Sequence, residues 1–314
     1  MISNSKFDFF DIWRSKVNTK NLLTFKSILE TGSFQKAAEK LNYTQSTVTF
    51  QIKQLEEELS IKLFEKIGRK MKLTQAGRDI LPFIETILQT EEKINNYGKS
   101  ISEITGTLRL AVPDSILIYN MQPFIKTFLH KAPNIQLVIN SLPSDEINHA
   151  IVNGLADLGV DCDKGNYPDT IVYKYLSPFK ACLVASPFAD IKELDFITPN
   201  QRKSLSMICN EPNSNYQKGI NEYLERKDII LNPYMKMQSI EAVKRSTMNN
   251  LGIAYVPIFA IHDELKNGSL IQLKTELDER MYTSVCVYHK NKWMSPQLEL
   301  ALQILDERPI KEYI

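Results

Sequence analysis

Several things are scarce in this 314-residue chain. Cysteine occurs four times, at Cys162, Cys182, Cys209 and Cys286, with no C-x-x-C pair. That spacing fits reduced thiols in the cytosol better than a disulfide framework or a zinc site. The four histidines, His130, His149, His262 and His289, are scattered, so no metal cluster is expected. No run of eighteen apolar residues exists, which excludes a membrane-spanning helix. The opening MISNSKFDFFDIWRSKV is broken by Lys6, Asp8, Asp11 and Arg14 and lacks the apolar core of a secretory signal. G-x-S-x-G, H-E-x-x-H and a Walker loop are missing. GLADLG at 154–159 has glycine spacing without the Lys-Ser/Thr that would follow. No enzyme and no cofactor are therefore expected. A net charge of +1 gives no global attraction to nucleic acid.

The basic character is local. From 41 to 78 there are seven Lys or Arg (53, 62, 66, 69, 70, 72, 78) against four Glu (56, 57, 58, 65), and local clustering is what nucleic acid meets. Leu22, Phe25, Ile28 and Leu29 share one face of a first helix. Gly32 and Ser33 break it, and Ser33 can cap a short second helix with Ala37, Ala38 and Leu41 inward. Asn42 and Tyr43 make a turn, and Thr44 can cap a third helix. There Val48, Ile52, Leu55 and Leu59 form a buried stripe. Its other face carries Gln45, Ser46, Thr47, Thr49, Phe50 and Lys53. A helix in the major groove needs such groups near its start, where base edges are read. Lys66, Arg69, Lys70 and Lys72 then fall within seven residues with no acid among them, and Gly68 sits where a hairpin turns. A basic hairpin beside a polar helix suits phosphate.

The residues Ser33-Phe34, Ala37-Ala38-x-x-Leu41, Thr44-Gln45-Ser46-Thr47-Val48-Thr49-x-Gln51-Ile52-x-x-Leu55-Glu56, Leu63-Phe64-Glu65-Lys66 and Leu73-Thr74-x-Ala76-Gly77 strongly resemble the DNA-binding domain of LysR-type transcriptional regulators. That family often has Ser where this chain has Thr44 and Thr49, and both keep the hydroxyl. The resemblance implies a winged helix-turn-helix with a long linker helix that pairs two chains. It also implies a C-terminal two-lobed α/β effector-binding domain of periplasmic-binding-protein type. GTLRLAV, PFIKTFLHKAPNIQLVI, GLADLGV and SIEAVKRSTMNNLGIAYVP follow the second pattern more weakly.

The expected organisation is an extension at 1–18, a DNA-binding domain at 19–78, a linker helix at 79–98 and a hinge at 99–106. An effector domain at 107–306 follows (lobe I 107–179 and 280–306, lobe II 180–279), then a tail at 307–314. Phe7, Phe9, Phe10, Ile12 and Trp13 suit either docking or a frayed extension. In the linker helix Ile80, Phe83 or Ile84, Ile87, Leu88 and Ile94 give a mostly apolar stripe with no evident core of its own, as a dimerisation arm would have. Beyond it, strands alternate with helices, which argues for a parallel sheet. Strands are expected at 107–112, 135–140, 158–162, 173–176, 180–186, 206–210, 235–238, 252–258, 270–273 and 281–290, with one helix at 116–131.

Open parallel sheets bind ligands beyond the carboxyl ends of their strands. Four strand-to-helix loops fit, and the resemblance places an inducer among them. They hold Pro113, Asp114 and Ser115; Ser141 and Leu142; Asn213 and Ser214; and Ser239 and Ile240. Cys162 ends a strand nearby. Ser, Asn and Asp are also ordinary caps. The sequence thus points to a cytoplasmic regulator that binds double-stranded DNA at an interrupted palindrome and a small-molecule effector. A homodimer or homotetramer is expected, with RNA polymerase as a further partner. The competing readings are an enzyme or solute-binding module on the two-lobed fold, and a thiol redox sensor using Cys209 or Cys162.

Overall fold

The computed structural model describes residues 17–67 and 70–307, with the side chains at 67 and 70 excepted. The chain forms two compact units that divide at Gly98/Lys99.

In the first unit α1 (Thr19–Thr31), α2 (Phe34–Leu41) and α3 (Gln45–Leu59) precede a hairpin, β1 (Phe64–Ile67) and β2 (Lys70–Leu73), and a long helix α4 (Gln75–Asn96). Asn42 has the left-handed backbone that turns α2 into α3 (φ 55°). The apolar stripes meet as expected: Leu22, Phe25, Ile28, Ala37, Ala38, Val48, Ile52 and Leu55 are buried together. Phe64 brings the hairpin onto this core, its ring 5.3 Å from Phe25 and 5.5 Å from Phe34. The buried Glu56 accepts from the amides of Leu63 (2.9 Å) and Phe64 (3.3 Å), tying the end of α3 to the start of the hairpin. Thr74 caps α4, accepting from Gly77 N at 2.9 Å. A Cβ at Gly77 would stand 2.4 Å from the Leu63 carbonyl oxygen, so only glycine lets α4 leave this close to the hairpin.

One expectation about α4 is corrected. Its stripe does have a core of its own: Ile84 (2% exposed) and Leu88 (9%) pack into the helical core of their own unit. The helix starts right after the hairpin and lies back on α1, which covers part of the stripe. Phe83 (66%), Ile87 (43%) and Ile94 (72%) stay exposed.

In the second unit β3 (Gly106–Val112) runs parallel to β4 (Ile135–Ser141) and to β5 (Leu158–Cys162). The other strands are β6 (Ile171–Ala185), β7 (Gln201–Cys209), β8 (Ile229–Lys236), β9 (Ala254–Pro257), β10 (Ile271–Leu273) and β11 (Met281–His289). The large sheet has the order β10-β6-β11-β5-β3-β4, with β9 also on β6, and β7 pairs with β8 in parallel. The expectation of a parallel sheet holds for β3 with β4 and β5 and for β7 with β8, and fails elsewhere. β11 runs antiparallel to both β5 and β6, and β9 and β10 run antiparallel to β6. Nor are 173–176 and 180–186 separate strands; β6 is continuous across Ser177-Pro178. Proline is tolerated because the ladder is irregular there, with a register shift between Thr283 and Val285. Ser284 substitutes for backbone: its Oγ accepts from Ser177 N (3.1 Å) and donates to Ser177 O (2.9 Å).

The expected helix at 116–131 is two, α5 (Asp114–Tyr119) and α6 (Gln122–Lys131), broken at Asn120-Met121 because Pro123 belongs at a helix start. The remaining helices are α7 (Ser144–Val152), α8 (Asn215–Arg226), α9 (Ile240–Met248), α10 (Ile258–Asn267) and α11 (Pro296–Glu307). Strand β8 begins and ends earlier than the expected 235–238. Among the described residues no helix is long and apolar enough to cross a membrane.

Candidate nucleic-acid interface and effector cleft

Helix α3 is presented by its N-cap. Thr44 Oγ1 accepts from Thr47 N at 3.1 Å and lies 2.8 Å from the hydroxyls of both Ser46 and Thr47. Thr49 Oγ1 donates to Gln45 O (2.9 Å). The hydroxyls of Thr44, Ser46, Thr47 and Thr49 are therefore engaged locally. Gln45, Ser46, Phe50 and Lys53 point to solvent, Phe50 with 66% of its surface exposed. With Thr49 they line one concave surface at the helix start. A wider groove runs from Ser33 past Gln45, Thr49 and Lys53 to Lys66 and Lys72. Ser33 holds the cap position of α2, yet its side chain makes no capping bond, contrary to expectation.

The hairpin register pairs Lys66 with Met71 and Lys72 with Glu65. Facing pairs share a side of the ribbon, so Lys66 and Lys72 lie on opposite faces of the hairpin, though both reach the edge of the wider groove. Lys53, Lys66 and Lys72 form no ion pair among the described residues, whereas Lys62 is held by Glu56 at 2.6 Å. Arg69 and Gly68 lie outside the described residues, as does the side chain of Lys70. Gln51, a motif residue given no role by the sequence, accepts from Thr24 Oγ1 at 2.6 Å and joins α1 to α3.

In the second unit a cleft of about 430 Å³ opens at the carboxyl ends of the strands. One side is built from the exits of β3 and β4, the other from the exits of β7 and β8. Of the expected residues, Asp114, Ser141, Leu142, Asn213 and Ser214 line it. The others do not. Pro113, Ser115 and Ile240 are buried, and Ser239 caps α9 through Glu241 N (3.3 Å). Cys162 is 4% exposed and faces the apolar core, because its neighbour Asp161 takes the polar side of β5. Sequence reasoning missed Ser144, Asp145, Glu146, Asn210, Glu211 and Lys236. Glu211 lies two residues before the expected Asn213 and Ser214, and Ser144 is the first residue of α7.

Hydrogen bonds cross the cleft. Ile240 N donates to Asp114 Oδ2 at 2.8 Å, so Asp114 caps a helix of the opposite side rather than its own. Asn213 Nδ2 donates to Asp145 Oδ2 at 2.7 Å. Ser144 Oγ lies 2.7 Å from both Asp161 Oδ1 and Glu211 Oε2. Tyr119 on α5 bonds Glu241 on α9, and Lys244 Nζ sits 4.7 Å above its ring. Lys244 is itself buried and paired with Glu264 at 2.8 Å.

The cleft floor is acidic. Burial pushes the Glu211 carboxyl up to about 7, against the Ser144 bond that pulls it down. Burial also raises Asp161, although Lys164 at 2.8 Å opposes it. All four cysteines are buried free thiols. Burial raises each of them, Cys162 with help from Asp161 and Glu211, Cys182 to about 12 and Cys286 to about 11. Thiolates, the reactive species, are thereby disfavoured. Among the described residues no group of His, Cys, Asp and Glu could hold a metal ion.

Comparison with known proteins agrees with both halves. Residues 19–78 match the bacterial regulatory helix-turn-helix proteins of the lysR family, and residues 102–309 match the LysR substrate binding domain. The HTH-type transcriptional regulator YfiE of Escherichia coli K12, itself uncharacterised, is 35% identical over 291 residues, covering 93% of this chain and 98% of its own. YwqM of Bacillus subtilis 168, likewise uncharacterised, is 29% identical over 290 residues, covering 91% and 97%. Among solved structures, ArgP of Mycobacterium tuberculosis superposes with a TM-score of 0.68 at 18% identity, covering 93% of this chain and 97% of that one. A full-length OxyR variant of Pseudomonas aeruginosa gives 0.65 at 17%, covering 93% and 94%. At such identities these two show a shared fold. The chain belongs to the LysR family of transcriptional regulators, with a helix-turn-helix DNA-binding domain followed by a domain that binds a small-molecule effector.

Proposed function

We propose that Gln45, Ser46, Phe50 and Lys53 at the start of α3 read base edges in the major groove. Thr44, Thr47 and Thr49 set the helix end, and Ser33, Lys66, Arg69, Lys70 and Lys72 hold phosphate. The observation that carries this is the exposed Lys53, without an ion pair among the described residues, beside exposed Gln45, Ser46 and Phe50 on a well-capped helix end. Gln bonds adenine in bidentate fashion, and an aromatic ring suits a thymine methyl. The protein works as a homodimer, joined through the exposed Phe83, Ile87 and Ile94 of α4, and further as a homotetramer. A twofold pair of heads reads an interrupted palindrome, and RNA polymerase is the downstream partner. The place of action is the cytoplasm, and the chain turns over no substrate.

The effector sits between lobe I (107–179 and 280–306) and lobe II (180–279), against Asp114, Ser141, Leu142, Asn213 and Ser214. The cross-cleft bonds of Asp114, Asn213 and Ser144 hold one arrangement of the lobes. A ligand that binds this arrangement better than an open one shifts the population and changes the spacing or bend imposed on DNA. The test is footprinting on the DNA upstream of the protein's own gene, with and without metabolite extract. Two protected half-sites, altered by extract, support the reading; an unprotected duplex at low salt defeats it.

A further inference from the structure

The cleft has an unbalanced charge. Among the described residues lining it, Lys236 is the one cation, set against the carboxylates of Asp114, Asp145, Glu146 and Glu211. Three of these differ from the fourth. Asp114 holds a backbone amide, Asp145 holds Asn213, and Glu146 is exposed in the first turn of α7. Glu211 is 6% exposed, and no Lys, Arg or His stands within ion-pair distance of it among the described residues. Asp161, equally buried next to it, already has its cation in Lys164. A buried carboxylate without a counter-charge is costly.

The hydroxyl of Ser144 sharpens this. It sits 2.7 Å from an oxygen of Asp161 and 2.7 Å from one of Glu211. A hydroxyl has one proton to donate. Both bonds exist together only if one acid also carries a proton, and Glu211, without a cation, is the one that does. The proton thus stands where a positive charge is wanted. The other Glu211 oxygen accepts from Asn210 Nδ2 at 3.5 Å, on its own loop, and a backbone bond from Ser144 pulls the carboxyl down without offsetting its burial. The helix N-termini that would hold an anion are already taken. α9 is capped by Asp114 and Ser239, α8 by Ser214, and α7 carries Asp145 and Glu146 in its first turn.

We propose that the effector of this cleft is a small molecule bearing a protonated amine, and that Glu211 is the carboxylate that receives it. This rests on the cleft being the effector site. A volume of about 430 Å³ suits a metabolite-sized ligand. Amine binding displaces the proton from Glu211, so affinity rises as pH climbs through about 7. The groups facing Glu211 in this titration are Asp161, Cys162 and Lys164 at the β5 exit, and Asp114 and Asp145 on the same side. From the opposite side Tyr216, Cys209 and Lys236 face it.

The test is thermal denaturation of the full-length protein with millimolar putrescine or L-lysine, and separately with succinate or acetate. It is run on the wild type, on Glu211→Gln, and on the cleft-filling variants Ser141→Trp and Met237→Trp. The expected result is a midpoint raised by an amine and not by the anions. Affinity falls by roughly 30-fold or more in Glu211→Gln, as for loss of a buried charge partner, and the effect is lost in both filled variants. Glu211→Gln keeps a neutral group beside Ser144, and its ligand-free midpoint in the same experiment reports its folding. Stabilisation by anions alone, abolished by Ser141→Trp, overturns the amine while the cleft stands. Amine binding unchanged in Glu211→Gln overturns it too, as does silence of both classes. Amine binding that survives both filled variants overturns the cleft reading as well.

Discussion

At the scale of the residue, the exposed side chains of α3 and the hairpin divide into two kinds. The Gln45 side chain is a hydrogen-bonding group with no partner among the described residues, and its replacement by Ala is expected to relax base preference with little loss of non-specific binding. Competition between operator and scrambled duplex measures this, and unchanged selectivity contradicts it. Lys66 has no ion pair among the described residues, and its replacement by Ala weakens binding to all sequences and lowers the salt slope by about one unit. Glu211 governs stability rather than DNA contact. Its carboxyl is raised from 4.5 to about 7 in the folded chain. The folded state therefore keeps a proton that the unfolded chain has released. The stabilisation is fully present below about 4.5 and is lost as pH rises to about 7, amounting to about 3 kcal/mol at most. Denaturant titrations across that window show the slope, and Glu211→Gln flattens it.

At the scale of the element, two helices carry the argument, and each was only half legible beforehand. The α3 stripe of Val48, Ile52 and Leu55 and its Thr44 cap are local pattern, so the sequence shows them plainly. The fate of α4 is not local. Whether Ile84 or Phe83 faces the core depends on how the helix leaves the hairpin, which Gly77 and the Leu63 carbonyl decide. Gly77→Ala is expected to cost about 1–3 kcal/mol, since the clash is with backbone; thermal denaturation of the variant reads it. Phe83→Asp together with Ile87→Asp leaves the buried Ile84 and Leu88 alone and is expected to yield monomer in light scattering. The cleft was legible as a set of loops, because strand ends followed by Ser, Asn or Asp are punctuation. Its chemistry was not. Glu211 looks like any surface acid until the fold buries it opposite Ser144, sixty-seven residues away. The polarity of β11 and the unbroken course of β6 through Pro178 were hidden for the same reason, as strand direction and a serine replacing a ladder bond are tertiary facts.

At the scale of the whole molecule, the central claim is that DNA recognition by α3 and ligand recognition by the cleft belong to one regulator. Linkage requires the two to be reciprocal: a ligand that changes operator affinity by some factor has its own affinity changed by that factor when operator is bound. The direct measurement is footprinting of the wild type and of Gln45→Ala on the upstream region, with putrescine or L-lysine as the added ligand. Two half-sites one or more helical turns apart, protected by the wild type, blurred in Gln45→Ala and changed in extent by ligand, are the predicted result. A duplex left unprotected at low salt, or a footprint indifferent to Gln45, contradicts the account.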